Sequence, residues 1–225
     1  AALEQVTVAG AIAGEFQLDI PLFRGGKLRA FGSARLRNQT LTIAAIQTQL
    51  NNVSGTLNFD NANIQFNSEN ALYRGLPVSF EVTGGLLTPP LAEGSATTAT
   101  PPGYEVNVAF NGINNSQQVQ QAFPSATWLD QVQGELATQG SFVLTLPGEG
   151  FTYSANVRSD LTALESSLPL PFGKAPGEIW FWNTEIKGDE QRLLLTTGVN
   201  EQFRAKAYLP IGDQKFQSVW VVLGN

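Results

Sequence analysis

Val53 to Gly85 reads VSGTLNFDNANIQFNSENALYRGLPVSFEVTGG, and the spacing of its apolar residues decides the fold class. Leu57, Phe59, Ile64 and Phe66, then Leu76, Val78, Phe80 and Val82, fall on every second residue within their runs. That is the periodicity of a strand, whose side chains alternate between two faces. Asp60-Asn61 and Tyr73-Arg74-Gly75 separate the runs with polar or glycine-bearing joints at which a chain turns back beside itself. The stretch predicts a meander with one apolar and one polar face.

Toward the N-terminus the same grammar continues. Val6 to Ala13 is small and β-branched, and Phe16, Leu18, Ile20 and Leu22 alternate with Gln17, Asp19 and Pro21 as a second strand. Arg24-Gly25-Gly26-Lys27 supplies a turn. Leu28 to Arg37 is a strand interrupted by Gly32, which predicts a bulge or bend there, and Leu41, Ile43 and Ala45 carry the pattern toward Leu50. Toward the C-terminus, Thr88 to Gly103 is TPPLAEGSATTATPPG. Its two Pro-Pro pairs cannot donate to a ladder, so it is a loop or linker. It either divides the chain into two domains or is a long excursion from one continuous sheet, and the prompt return of alternation at Tyr104, Val106, Val108 and Phe110 favours continuity.

Two short helices are predicted. Ser116 to Phe123 has Ser116 at the N-cap position and Val119, Ala122 and Phe123 at helical spacing, with Pro124 closing it. Ser159-Asp160 caps the second, which runs to Leu168 with Leu161, Leu164 and Leu168 on one face. Between them, Phe142, Leu144 and Leu146 alternate before Pro147-Gly148-Glu149-Gly150, and Phe151, Tyr153, Ala155 and Val157 answer from the other arm of a hairpin. Ile179 to Ile186, Leu193 to Val199, Phe203 to Leu209 and Val219 to Leu223 complete the strands.

Composition narrows the chemistry. The 225 residues include no His, Cys or Met, which removes the commonest neutral-pH base, every thiolate and every disulfide. Only 14% of residues are charged, against roughly 25% in an ordinary soluble domain. A net charge of −6 with 13 unclustered Lys and Arg argues against nucleic acid, and no run reaches the length of a membrane-spanning helix. No Gly-x-Ser-x-Gly or phosphate loop occurs: Gly148-Glu149-Gly150 lacks the lysine and sits in a hairpin turn. Asp60-Asn61-Ala62-Asn63 has Ala62 at a calcium-ligand position and reads as a turn. Nothing in the spacing of Glu135, Glu178 and Glu185 supports paired-carboxylate chemistry. The chain is read as a non-enzyme with no catalytic residue, metal or cofactor. Trp180 and Trp182 share a strand face, a sugar-stacking platform if exposed and plain core if buried. The triplets at Asn38, Asn52 and Asn114 match the glycosylation pattern but carry little in a chain so rich in Asn, Ser and Thr.

Several segments resemble the YhdP branch of the AsmA-like envelope proteins. Val53-Ser54-Gly55-Thr56-Leu57-Asn58-Phe59-Asp60 is similar to that family's Gly-x-Leu-x-Phe strand start, followed by Leu76-Pro77-Val78 and Gly84-Gly85. Ser159-Asp160-Leu161-Thr162-Ala163-Leu164 through Leu168-Pro169-Leu170-Pro171-Phe172-Gly173-Lys174 resembles its Ser-Asp-Leu, short-helix, Leu-Pro-x-Pro segment, and Trp128-Leu129-Asp130 before Val132-x-Gly134 also fits. The stretch from Thr88 to Gly103 has no counterpart.

The resemblance implies a mainly β fold: antiparallel, strongly curved sheet forming an open trough or incomplete barrel, with two short helices. Residues 1–225 would be a single β segment of a larger periplasmic protein anchored in the inner membrane of a Gram-negative bacterium, with an internal division, if any, at 88–103. Phospholipid acyl chains would lie along the trough between the two membranes. Neighbouring segments of the same protein would be its other partners, with no nucleic acid, and membrane contact only through parts outside this chain. The candidate lining is Leu18, Ile20, Leu22, Leu76, Val78, Phe80, Val82, Val106, Val108, Phe110, Phe142, Leu144 and Leu146. The same residues suit a dry core, and the competing reading is a β-sandwich that recognises glycan or another envelope protein through Trp180 and Trp182.

Overall fold

The computed structural model describes residues 6–10, 12–23, 25–43, 48–87, 103–211 and 217–224. In chain order its elements are β1 (Val6–Ala9), β2 (Ala13–Asp19), β3 (Arg29–Ile43), β4 (Thr48–Asp60), β5 (Asn63–Tyr73), β6 (Leu76–Leu86), β7 (Tyr104–Asn115), helix α1 (Ser116–Ala122), a 3₁₀ turn (Thr127–Gln131), β8 (Val132–Leu146), β9 (Thr152–Asp160), β10 (Leu164–Ser166), β11 (Phe181–Asp189), β12 (Arg192–Val199), β13 (Phe203–Pro210) and β14 (Ser218–Leu223). All fourteen strands belong to one antiparallel sheet that follows chain order, with β2 beside β1 along β3 and β10 continuing β9 along β8. β1 and β14 end the path without meeting, so the sheet is open. The fold is mainly β, as the alternation predicts, and no second sheet exists among the described residues to make a sandwich.

The opening meander is β4, β5 and β6, turned at Asn61 (φ 53°) and at Arg74-Gly75 (φ 51° and 85°). Leu57 opposes Phe66, which opposes Val82, so the apolar sets share a face. On either side of the proline-rich stretch, of which 88–102 lies outside the described residues, β6 pairs directly with β7. The sheet crosses this point without a break.

One-residue insertions occur side by side in three strands. Leu36 and Gln39 of β3, Val53 and Leu50 of β4, and Ser68 and Ala71 of β5 are each three positions apart, yet pair as neighbours on one face. Bulged strands bend, and three in a row crease the sheet. Asparagine tolerates the left-handed backbone that a bulge needs: Asn38 and Asn52 have φ of 51° and 56°. The Asn38 N–H donates to Ser54 Oγ at 2.9 Å, and Asn52 Nδ2 donates to the Asn70 carbonyl at 3.0 Å. Two of the three Asn-x-Ser/Thr triplets are therefore crease residues. The crease contains the most buried side chains: Val53 and Ala71 are fully covered and Leu36, Phe66 and Phe80 nearly so.

Local expectations are corrected in several places. Gly32 produces no bulge: the β3–β4 register runs evenly through it, and its missing Cβ makes room for Phe16, whose Cα would lie 2.8 Å from a Cβ there. Leu41 does not continue toward Leu50 but pairs with it across β3 and β4, the chain reversing between them. Ala45 and Arg24 lie outside the described residues. Ser116 is the first residue of α1, not its cap. Asn115 caps it, with Asn115 Oδ1 accepting from the Gln118 N–H and Gln118 Oε1 accepting from the Asn115 N–H, both at 2.9 Å.

The second predicted helix, Ser159 to Leu168, is absent. β9 runs to Asp160, whose carboxylate accepts from the Thr162 N–H at 2.8 Å and turns the chain, and β10 rejoins β8 at Leu164. The turn places Leu161 and Leu164 together in a second cluster with Val132, Val199 and Trp180. Their helical spacing is satisfied by a single turn between two strands, closed by the Leu164 N–H donating to the Leu161 carbonyl at 3.0 Å. The second short helical element is the 3₁₀ turn, which contains Trp128-Leu129-Asp130.

Candidate functional site: an uncovered apolar face

Register carries each side chain to a definite face. Across β5 to β9 the direct opposites are Phe66, Val82, Val108, Phe142 and Ala155, and β11 to β14 extend that row through Ile186, Leu195, Ala207 and Val219. Eleven of the thirteen predicted lining residues lie on this face: Leu18 on β2, Leu76, Val78, Phe80 and Val82 on β6, Val106, Val108 and Phe110 on β7, and Phe142, Leu144 and Leu146 on β8. Ile20 and Leu22 follow the end of β2 and are exposed, Leu22 at 98%. The face also includes residues not singled out from sequence, among them Ile186, Leu195, Val221 and Leu223. Their signal was the alternation of the last four strands.

Among the described elements the packing of the sheet is between strands and their hydrogen-bonded neighbours, apart from α1 and the 3₁₀ turn against the ends of β6 to β8, and the segment 161–180 adds Leu161, Leu168 and Trp180 beside Val132 and Val199 and Phe172 on Phe203. Val106, Val108, Phe142, Leu144 and Leu146 are consequently only half-buried, whereas Phe80, in the crease, retains 6% exposure. Aromatic rings lie over glycines on the adjoining strand. Phe110 faces Gly140 and Tyr153 faces Gly188, and Phe66 packs against Phe80 with centroids 5.7 Å apart. The Tyr104 hydroxyl donates to the Ala62 carbonyl at 2.8 Å, and its burial pushes the phenol pKa up. No Lys, Arg, Asp or Glu is register-paired on this face.

The charges stand on the other face or at the turns, and ion pairs join some of them there. Arg29 Nη2 and Nε meet the Asp60 carboxylate at 2.6 and 3.0 Å, which holds that carboxyl below its ordinary pKa. A groove of about 1550 Å³ crosses this polar face. One row of direct opposites in it runs Asn67, Glu81, Ala109, Ser141, Asn156, Glu185, Thr196, Lys206 and Trp220, and a second contains Asn111, Gln139, Arg158, Asn183 and Arg204. Of the predicted lining residues only Phe80 and Phe110 border it. A sheet with strand-to-strand twist is saddle-shaped and hollow on both sides along different directions. Sequence reading missed this groove, although the small floor residues and amides fall on every second position.

Trp180 and Trp182 do not form an exposed pair. Trp180 packs in the second cluster, and Trp182 lies on the apolar face opposite Val199 with its indole N–H donating to Thr197 Oγ1 at 2.7 Å.

The family model described as "YhdP protein" matches residues 1–225. The chain belongs to the YhdP family. It is 28% identical over 209 residues to the intermembrane phospholipid transporter YhdP of Escherichia coli (strain K12), a match that covers 92% of this chain and 15% of that relative. No solved structure matches. The segment whose motif resembles the YhdP family, Ser159 to Lys174, is the turn of the second cluster. Lys174 is buried there at 6% exposure. Its ammonium donates to the carbonyls of Leu164 at 2.6 Å, Ala175 at 3.2 Å and Thr162 at 3.4 Å, so the motif's lysine holds the loop together from inside.

Proposed function

We infer that this chain is a section of a longer β-trough that holds phospholipid by its acyl chains and lets it pass between the inner and outer membranes through the periplasm. The observation that carries this reading is the apolar face itself, continuous in register from β2 to β14, free of register-paired charge and, among the described residues, covered only at its margins, by α1 and the 3₁₀ turn and by the second cluster, where Val199 is buried and Phe172 packs on Phe203. Such a face must be covered by protein or ligand to be stable in water. An acyl chain laid on it gains roughly 0.8 kcal/mol per buried CH₂, which holds a lipid without a shaped pocket. Uniform side chains offer many similar resting positions, and headgroups remain at the wet opening. Transfer proceeds by sliding and exchange, with no covalent step.

The E. coli relative is an intermembrane phospholipid transporter, which agrees with this reading. Among the described residues no helix is long and apolar enough to cross a membrane. The test is a photo-crosslinking residue at Val108 in chain expressed in a Gram-negative host, followed by mass spectrometry of the adducts. Phospholipid adducts at Val108, with none at Asn107 on the opposite face, are expected. Equal labelling at both positions, or none at Val108, sinks the proposal.

A further inference from the structure

The proposed lipid path makes no use of the polar groove, which is large and whose side chains are underused. Asn67, Asn111, Gln139, Asn156 and Asn183 line it, and none makes a side-chain hydrogen bond within the described residues. Each carboxamide presents two donors and the lone pairs of its oxygen, so the groove offers alternating donors and acceptors that water alone satisfies. Three carboxylates (Glu69, Glu81, Glu185) face three cations (Arg158, Arg204, Lys206) in it. The match is to a ligand that is neutral overall and rich in hydroxyl or amide groups, and the carboxylates discourage polyphosphate.

Size and repeat narrow the class. The first groove row crosses nine strands from β5 to β14, and eight steps of about 4.8 Å make it roughly 38 Å long. That is a track for a polymer, since drug-sized ligands fill pockets of roughly 300–1,000 Å³. An extended peptide advances about 3.3 Å per residue, out of step with the strands. A sugar ring in an extended β-1,4 glycan advances by close to one strand spacing, so successive rings meet equivalent positions. Ala109, Ser141 and Gly198 keep the floor low, and Trp220, 55% exposed at one end, offers a face for a ring to stack on.

We propose that the polar face of this sheet binds an extended β-1,4-linked glycan strand, laid across the strands in the groove between Asn67 and Trp220. This site is separate from the apolar face and does not rest on the lipid reading. It would let one sheet handle lipid on one side and grip a carbohydrate polymer on the other.

The chain is titrated with chitohexaose and with cellohexaose, following tryptophan fluorescence and heat. Saturable binding of either supports the proposal, and preference for chitohexaose assigns the acetamido groups a role. The double variant Gln139→Ala/Asn156→Ala, at two exposed positions, is expected to bind at least tenfold more weakly, and Trp220→Ala to lose the fluorescence change. Leu144→Ala, on the apolar face, leaves binding unchanged. No binding of either oligomer overturns the proposal, as does binding that survives the double variant. Tighter binding of an extended peptide or single-stranded DNA overturns it too. Lipid adducts at Val108 are unaffected by any of these results, so the two readings fail separately.

Discussion

Replacing Leu144 by alanine separates an open apolar face from an ordinary core. Leu144 is half-buried on β8, between Val106 and Tyr153 in register. The substitution removes three carbon groups, at about 0.8 kcal/mol each if fully withdrawn from water, and half-coverage reduces the loss to about 1.2 kcal/mol. No layer lies above it among the described residues, so there is no cavity term, whereas in a closed core Leu→Ala costs roughly 2–5 kcal/mol. Phe80, 6% exposed in the crease and packed on Phe66, is the internal standard: Phe80→Ala is expected to cost roughly 3–5 kcal/mol. Urea denaturation of the delipidated chain measures both. Added phospholipid should then raise the wild-type midpoint more than that of Leu144→Ala, because a ligand at 100 times its Kd contributes about 2.7 kcal/mol and the variant binds less tightly. Equal costs for the two variants without lipid would refute the open-face reasoning, since Leu144 would then be covered as Phe80 is.

Other consequences follow from single contacts. Lys174→Met retains the apolar stem but withdraws the ammonium from three carbonyls. A net loss of about 2 kcal/mol is expected, the orphaned acceptors outweighing the relief of ion desolvation, with faster amide exchange at Ser166, which donates to the Lys174 carbonyl. Gly140→Val brings a Cβ within 2.4 Å of the Phe110 ring and 2.7 Å of the Asn156 carbonyl, so it should lower the unfolding free energy, read from urea denaturation, by about 1–3 kcal/mol. Asp60 has a folded pKa below its ordinary 3.8. Its contribution is therefore complete above that value and lost as pH falls through the lower, folded one. Asp60→Asn should flatten that part of an acid denaturation curve and leave the neutral part nearly parallel to wild type.

The strands were legible because alternation is a local signal that tertiary context here reinforces. Leu57, Phe66, Val82 and Val108 share a face in the fold as their spacing requires. What sequence did not show was competition between two uses of one pattern. Leu161 and Leu164 at a spacing of three suit a helix turn, but the Asp160 carboxylate turns the chain and β8 offers a ladder, so both leucines reach the second cluster from the two ends of a turn between β9 and β10. Gly32 likewise has two explanations, a bend or a partner's need for room, and only the position of Phe16 chooses between them. The lining set was mostly placed on one face, but the polar groove depends on strands far apart in sequence, such as β5 and β14, and its shape comes from twist that no single strand encodes.

The crease explains how one sheet keeps its faces distinct over so many strands. A single inserted residue reverses the facing of everything beyond it, and β3, β4 and β5 each contain one insertion at the same level. Leu36 and Gln39, Val53 and Leu50, and Ser68 and Ala71 remain on the apolar side because each strand absorbs one extra step, at Asn38 in β3 and Asn52 in β4 with a left-handed backbone. β6 needs none, since Val78 and Phe80 are two apart and already pair with Ala71 and Ser68. Losing one insertion alone would turn one end of a strand's apolar set into the polar groove and bring its polar set onto the apolar face. Separation of the two faces, on which both proposed ligands depend, thus rests on matched asparagine-bearing bulges as much as on alternation.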